Sequence, residues 1–280
     1  MSFDNFGSFF VDSCILLPKS VEATKQSCAD FLEKNGDNCL ISSSIKDEGL
    51  DLLNRSYSVV VKSISENLKP FLESQGIKEI TNKQGRLFAE FFSQRRRIIK
   101  NKHKTKSNVP NELLGTIENY VASRLHSLND GQKINVDVFL GALLRELSGE
   151  KHRLKRPFLK LTCIVVTPDS ALCCSVMSIG KVKNRNDADH LVSSIMHQFD
   201  KNEWMIFVTN DDDHILSNKP EMLDIFALQC SKPDWAIDYV HFISRRKAPI
   251  ENYRELKNYS AQQKTFGSHI ERLTSIKILR

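Results

Sequence analysis

The sequence predicts an α/β fold with a mostly parallel central sheet and a long helical insertion. Short apolar runs at residues 9–11 and 39–41 alternate with segments of helical periodicity, which is the pattern of βαβ units. Across residues 57–148 the apolar side chains recur at intervals of three and four, which is typical of helices. Strand signals then return at residues 161–166 and 205–209. The sheet is therefore predicted to be built from both ends of the chain.

The first two strands are each followed by a helix. The first strand ends at Asp12, and residues 20–34 then carry apolar side chains at helical spacing until Asn35-Gly36 ends the helix. Three serines at 42–44 follow the second strand and can cap the helix that contains Glu48.

The helical middle is predicted to contain about four helices. Pro110 can open one of them, and Phe91 and Phe92 are expected to be core residues. A helical stretch of this length is an insertion and not a loop. The predicted organisation is a domain at 7–245, an insertion at 57–150 within it, and a basic tail at 246–280.

The last part of the predicted domain contains strands, turns and one clear helix. A turn at residues 167–170 separates the returning strand from a second predicted arm at 171–177. Residues 187–199 place apolar side chains on one helical face, and a short helix is expected between Pro220 and about Cys230.

Composition favours an intracellular globular protein. Of the 280 residues, 40% are apolar and 26% are charged, and no run approaches the roughly 20 apolar residues that span a bilayer. The N-terminus does not resemble a signal peptide, so the expected location is cytoplasmic, without a membrane partner. The seven cysteines include no CxxC pair and are predicted to be structural thiols.

Two basic runs stand out in a chain with a net charge of +6. Residues 93–108 carry seven Lys or Arg and no acid, and residues 151–160 carry five and no acid. A polyanionic partner explains such runs, and so does a solvated helix end or loop. The residues expected to contact a phosphate backbone are Arg95, Arg96, Arg97, Lys100, Lys102, Lys104 and Lys106.

Acidic residues follow the predicted strands. Asp12 ends the first strand, Glu48 lies one turn into the helix after the second, and residues 211–213 follow the last. In open parallel sheets, ligands bind at the carboxyl ends of the strands, so we expect these acids to lie at one edge. Asp187 and Asp189 open another helix, where the helix dipole also favours a carboxylate.

A cluster of this kind is unfavourable without a cation. Two unit charges 4 Å apart repel by about 4 kcal/mol at an effective dielectric constant near 20. Mg²⁺ and Mn²⁺ prefer carboxylate and water oxygens, and either ion reverses the sign of the interaction. Taken singly, each acid also has a structural explanation, such as a cap or a helix N-terminal charge. Their joint placement favours a metal site.

Four motifs, in order, resemble those of the PIN-domain nuclease family. The first is an apolar strand ending in Asp, at residues 10–16, and the second is Glu48 in the helix after the second strand. The third is Asp189 at the start of a helix, followed by small and apolar residues, and the last is the strand-Thr-x-Asp-x-Asp segment at 208–213. Asp187 lies just upstream of the third motif, and either aspartate can fill that position, with the spacing favouring Asp189. The resemblance covers residues 7–55 and 158–245.

The resemblance implies a Rossmann-like three-layer sandwich and metal-dependent cleavage of RNA or another single-stranded nucleic acid. It also implies one or two Mg²⁺ or Mn²⁺ ions, held by six acidic residues of which four have catalytic roles. Thr209 would contact a phosphate or a carboxylate, or would only end its strand. The catalytic set is Asp12, Glu48, Asp189 and Asp211, and the metal set adds Asp187 and Asp213.

Several alternatives stay open at this stage. One is a PIN-like nucleic-acid or protein binding module that has lost its activity. A phosphotransferase of the haloacid-dehalogenase type would need a second Asp where Cys14 stands. An antitoxin or other protein partner, and a homo-oligomer, are also compatible with the sequence. His190 and His214 lie near the motifs, and we expect both at surface helix positions.

Overall fold

The computed structural model describes residues 6–17, 22–103, 109–178, 182, 184–226, 228–234 and 236. The predicted tail at 246–280 lies outside these residues. The chain divides into two compact units, one formed by residues 1–49 and 160–280 and the other by residues 50–159. The insertion predicted at 57–150 falls within the second unit.

Seven strands and nine helices of α type are formed by the described residues. The strands are β1 (Phe6–Val11), β2 (Cys39–Ser42), β3 (Glu79–Ile80), β4 (Ile134–Asn135), β5 (Thr162–Ile164), β6 (Trp204–Val208) and β7 (Gln229–Ser231). The helices are α1 (Ser13–Leu16), α2 (Glu22–Asn35), α3 (Ser43–Ser74), α4 (Gly85–His103), α5 (Val109–His126), α6 (Val136–Lys160), α7 (Ser170–Ser178), α8 (Arg185–Lys201) and α9 (Lys219–Phe226).

The first unit is built on a five-stranded parallel sheet, which confirms the predicted α/β class. Its strand order is β5-β2-β1-β6-β7, and every neighbouring pair is parallel. From β1 the chain runs to β2 and β5 on one side, and it later crosses to β6 and β7 on the other. The order therefore reverses between β1 and β6, and such a switch point opens a crevice at the carboxyl ends of the strands.

Both faces of this sheet are buried. Phe9 and Phe10 are adjacent in β1, so their side chains point to opposite faces, and both are fully buried. On one face the ring of Phe9 meets Phe31 of α2 edge to face, with centroids 5.1 Å apart. On the other face Phe10 stacks on Phe207 of β6 at 5.9 Å. Covered faces on both sides are consistent with a three-layer sandwich.

Two local sequence predictions in the first unit are corrected. Residues 171–177 form helix α7 and not a strand arm, because the Asp169 carboxylate accepts the Leu172 N–H at 2.7 Å and begins the helix. The helix expected between Pro220 and about Cys230 ends at Phe226, and Gln229–Ser231 form strand β7, whose three residues are too few for a periodic signal. The predicted helix at 187–199 is confirmed as α8, which ends at Asn202 in the left-handed conformation with φ 54°.

The second unit is helical apart from one short ladder. β3 and β4 pair antiparallel through Glu79 with Asn135 and Ile80 with Ile134. Aromatic side chains make up much of its core. The ring of Phe88 on α4 lies 5.4 Å from that of Phe139 on α6, and Phe91 and Phe92 are fully buried, which confirms their predicted core positions.

The long helices are amphipathic. From residue 53 of α3 onward, the buried apolar positions recur at intervals of four and seven residues and form one apolar stripe. No helix within the described residues is long and apolar enough to cross a bilayer. From residue 53 onward, the buried apolar positions of α3 are Leu53, Val60, Ile64, Leu68 and Leu72.

Candidate active site

The ends of β1 and β6 bring the first and last motifs together. Val11 pairs with Val208, so Asp12 and Thr209 are the first residues beyond the paired strands. The Thr209 hydroxyl donates to Oδ2 of Asp12 at 2.7 Å, and it accepts the backbone N–H of Asp211 at 3.0 Å. Thr209 is fully buried and therefore links the two motifs from within the protein.

Asp12 is held by its own loop as well. Its Oδ1 accepts the Ser13 N–H at 2.6 Å, which caps the short helix α1, and its Oδ2 accepts the Cys14 thiol at 3.1 Å. The residue is only 6% exposed. With Thr209 included, a backbone N–H, a hydroxyl and a weaker thiol donor hold this carboxylate at the switch point of the sheet.

The three adjacent aspartates after β6 have three different environments. Asp211 is half-buried, and its Oδ1 accepts the N–H groups of Asp213 at 3.1 Å and His214 at 3.0 Å, so it orders the turn. Asp212 is exposed and forms an ion pair with Lys232 at 2.9 Å. Asp213 is exposed, and the hydrogen bonds described for it are those of its backbone. Asp211 is thus the member of this trio that faces the site.

Asp187 on the first turn of α8 interacts electrostatically with Asp12 and Asp211. Burial, followed by the negative charges of those two residues, raises the pKa of Asp187 from 3.8 to about 6, while His190 and His214 oppose the shift. The contributions of Asp12 and Asp211 indicate that both carboxylates lie close enough to Asp187 to disfavour its ionised form.

Asp189 has partners elsewhere. Its Oδ1 accepts the Arg185 guanidinium at 2.9 Å and the thiol of Cys173, on α7, at 3.0 Å. Burial and the bond to Asp189 raise the pKa of the Cys173 thiol to about 12. Two residues along a helix correspond to roughly 200°, so Asp187 and Asp189 leave α8 in nearly opposite directions.

His190 is buried between two predicted ligands. Its Nε2 lies 3.2 Å from Oε2 of Glu48, and its Nδ1 lies 3.9 Å from Oδ1 of Asp12. The residue is 3% exposed, so the predicted surface position was wrong for His190. A helical residue three positions after Asp187 shares its face, and that face covers the sheet edge. His214 is half-buried in the turn after β6 and not in a helix.

Two thiols contact Asn210, the residue that precedes Asp211. Cys14 accepts the Asn210 N–H at 3.1 Å and lies 3.3 Å from the Thr209 hydroxyl. Burial, followed by the charge of Asp12, raises the pKa of Cys14 well above its usual range. Cys28 accepts the Asn210 side-chain amide at 3.1 Å, and burial raises its pKa to about 11. A thiol of this pKa is protonated at neutral pH.

Two of the predicted phosphate contacts on α4 have partners inside the second unit. The Arg95 guanidinium lies 5.2 Å from the centre of the Phe91 ring, and Arg96 forms an ion pair with Glu118 of α5. Arg97 is exposed and has no ion pair with a described residue. The other predicted contacts lie outside what the structure describes, in full for Lys104 and Lys106 and in their side chains for Lys100 and Lys102.

The acids offer the oxygen donors that Mg²⁺ and Mn²⁺ prefer, and in this chemical sense they fit a divalent ion. Among the described residues, however, no group of three or more His, Cys, Asp or Glu side chains already has an arrangement that could hold a metal ion. The charges of Asp12 and Asp211 act on Asp187, but the described side chains are not arranged as a ligand set. The acids are therefore near one another without forming a metal site in this conformation.

Compared with family models, with curated proteins and with solved structures, the chain matches none of them. The resemblance to the PIN-domain nucleases rests on the four motifs of this chain, and membership of that family stays a prediction.

Proposed function

We propose that the protein is a metal-dependent nuclease that hydrolyses phosphodiester bonds, with RNA as the favoured substrate. The observation that carries this proposal is the placement of Asp12 and Asp211 after the adjacent strands β1 and β6, linked through Thr209 at the switch point of a parallel sheet. Both acids also disfavour ionisation of Asp187 on α8. Open α/β sheets bind their ligands at this place. Acids brought there from three elements suit a divalent cation better than any other small partner.

Asp12, Asp187 and Asp211 would hold the ion, and Glu48 would join them from α3. We assign the third acid to Asp187, since the carboxylate of Asp189 is engaged by Arg185 and Cys173. A bound Mg²⁺ or Mn²⁺ makes a water molecule more acidic and neutralises charge on the leaving oxygen.

The protein's own side chains would supply orientation. Thr209 and Ser13 fix the Asp12 carboxylate, and Asp211 fixes the turn that follows β6. These contacts limit the number of conformations open to the acids, which lowers the cost of arranging them around an ion. Basic residues would contact the phosphate backbone without reading its sequence.

A cleavage assay tests the proposal. Fluorescent single- and double-stranded RNA and DNA are incubated with the full chain in Mn²⁺, in Mg²⁺ and in EDTA, beside the Asp12→Asn variant. We expect cut RNA with either metal, none in EDTA, and none with the variant. Retention of uncut RNA by the wild type would instead indicate a binding module. Equal cleavage by wild type and Asp12→Asn would exclude this site.

A further inference from the structure

The second basic run of the sequence forms the end of α6, and within the second unit it contains two kinds of cation. The Lys151 ammonium lies 4.5 Å from the centre of the Tyr57 ring, and the Arg153 guanidinium donates to both carboxylate oxygens of Glu150, at 2.7 and 2.6 Å. Lys155 and Arg156, by contrast, form no ion pair with a described residue. Part of this run is therefore engaged within the fold and part is not.

A further arginine lies on the same side of the helix as the unengaged cations. Arg156 follows Arg145 by 11 residues, which is about three helical turns, so the two side chains leave α6 in nearly the same direction, about 16 Å apart. Arg145, His152 and Arg156 are exposed and Lys155 is half-buried. Arg145 also lacks an ion pair within the described part of the chain. We call Arg145, His152, Lys155 and Arg156 the α6 basic face.

The acids of α6 lie away from this face. Asp137 is paired with Lys69 on α3, and Glu150 is paired with Arg153. Glu146 is the residue after Arg145, and adjacent residues of a helix point about 100° apart. The α6 basic face is thus a row of cations that no acid of its own helix neutralises.

The helix dipole does not explain this row. A cation at a helix C-terminus is stabilised by the dipole, but the effect falls off within the last turn. Arg145 and Arg156 both precede the last turn of α6, which ends at Lys160. The surface between the two arginines is also open, because a Cβ atom at Gly149 would have empty space around it. An external anion can therefore reach both arginines.

The surroundings of the α6 basic face favour one kind of anionic partner. An anionic membrane binds a helix that inserts its apolar side, but the apolar side of α6, with Leu147 and Leu154, is buried. A protein partner is usually held by apolar anchors, and the large exposed apolar residues described on α6, Val138 and Leu159, lie outside residues 145–156. A phosphate backbone needs only accessible cations in a row.

We propose that the α6 basic face binds the phosphodiester backbone of a nucleic acid without reading its sequence. Arg145 and Arg156 would each contact a phosphate, and Lys155 would add a further positive charge between them. The inference that this nucleic acid is the substrate of the protein rests on the proposed function. The binding itself does not depend on cleavage.

Binding is measured on the full chain in EDTA, by fluorescence anisotropy with single-stranded RNA and DNA of equal length. The variant Arg145→Gln/Arg156→Gln removes two charges and keeps two long polar side chains. We expect it to bind both probes about 10-fold more weakly than wild type. The slope of log K against log salt should fall by about 1.4, since each lost contact to a single strand contributes about 0.7.

The matched control is Arg55→Gln/Arg153→Gln, which makes the same change in net charge. Both arginines are exposed on helices of the second unit, and each is paired with an acid of its own helix, Asp51 or Glu150. We expect this variant to stay within about twofold of wild-type affinity, with an unchanged salt slope. Equal losses in the two double variants would show that only net charge matters and would overturn the proposal.

A conservative variant separates charge from folding. Arg145→Lys/Arg156→Lys keeps both charges and should bind within about threefold of wild type. Thermal unfolding of every variant shows that it has folded, and if the Gln variant were unstable, the single substitutions Arg145→Gln and Arg156→Gln should each lower the slope by about 0.7. A Lys variant as weak as the Gln variant would contradict the proposal.

The remaining outcomes distinguish this inference from the proposed function. Wild type that binds RNA or DNA in EDTA through these arginines but cuts neither in Mn²⁺ would refute the nuclease and leave the α6 basic face as a nucleic-acid binding surface. Wild type that binds neither probe would end the inference. So would arginine-dependent binding to phosphatidylserine vesicles with no arginine-dependent binding to either nucleic acid.

Discussion

The acidic edge of the first unit, formed by Asp12, Asp187 and Asp211, and the arginine run of the second, Arg95–Arg97, are both dense in one sign of charge. Their neighbours differ. At the acidic edge, burial and then the charges of Asp12 and Asp211 raise the pKa of Asp187. In the arginine run, Arg96 is paired with Glu118 and Arg95 lies over the Phe91 ring.

The difference teaches that charge density in a sequence does not by itself identify a binding surface. Paired charges are largely satisfied within the fold, and a ligand would have to compete for them. Like charges that are kept together reduce stability, so an external partner of opposite sign gains by binding. By this criterion the acidic edge is the better candidate, although the arginine run looked equally strong in the sequence.

The comparison predicts the largest effect at the acidic edge. Asp211→Asn should lower the Mn²⁺-dependent cleavage rate by roughly 1,000-fold, because a metal ion contributes several kcal/mol to the transition state. The measurement is the single-turnover rate on fluorescent RNA.

The control is the adjacent residue. Asp212 has the same side chain, is exposed and is paired with Lys232, so Asp212→Asn should leave the rate within about twofold of wild type, as expected of a surface substitution. Comparable losses for the two variants would mean that the effect reflects the net charge of this loop and not a site.

Asp187→Asn should stabilise the protein in EDTA. Because burial and the charges of Asp12 and Asp211 raise the pKa of Asp187 to about 6, its ionised form destabilises the folded state. After allowance for partial exposure we expect a gain of about 1 kcal/mol, which corresponds to an increase in Tm of about 2 °C.

The pH dependence of this stability difference tests separately whether ionised Asp187 destabilises the folded protein. The destabilising effect of an ionised Asp187 is absent below its unfolded-state pKa of 3.8, grows as the pH rises, and is complete above about 6. The Tm difference between Asp187→Asn and wild type should therefore be present at pH 7 and vanish near pH 4. A variant less stable than wild type at pH 7 would show that Asp187 has a stabilising partner.

Much of this site could be predicted because its residues follow the ends of strands in the sequence. Asp12 and Asp211 follow apolar strands, and parallel pairing of β1 with β6 then places them at one edge. The α/β class could be predicted for the same reason, since strand and helix periods differ clearly.

The rest depends on tertiary contacts that no local pattern encodes. Asp187 and Asp189 both begin a helix, and only the position of α7, with Cys173, reveals which face each one takes. His190 lies in a segment whose apolar spacing is the same whether the imidazole is exposed or buried. Strand β7 has three residues and owes its conformation to β6.

The smallest predicted effects lie in the arginine run, and they test whether its members are divided between structure and binding. Arg96→Ala should lower the stability of the protein by up to about 1 kcal/mol, because Glu118 loses its partner, with little change in RNA affinity. Arg97→Ala should leave the Tm unchanged and reduce the dependence of log K on log salt by about one. Fluorescence anisotropy with RNA between about 50 and 200 mM salt, together with thermal unfolding, measures both. If Arg96→Ala and Arg97→Ala had the same salt slope and the same Tm, the run would act as one solvated charged face, and the contrast with the acidic edge would be lost.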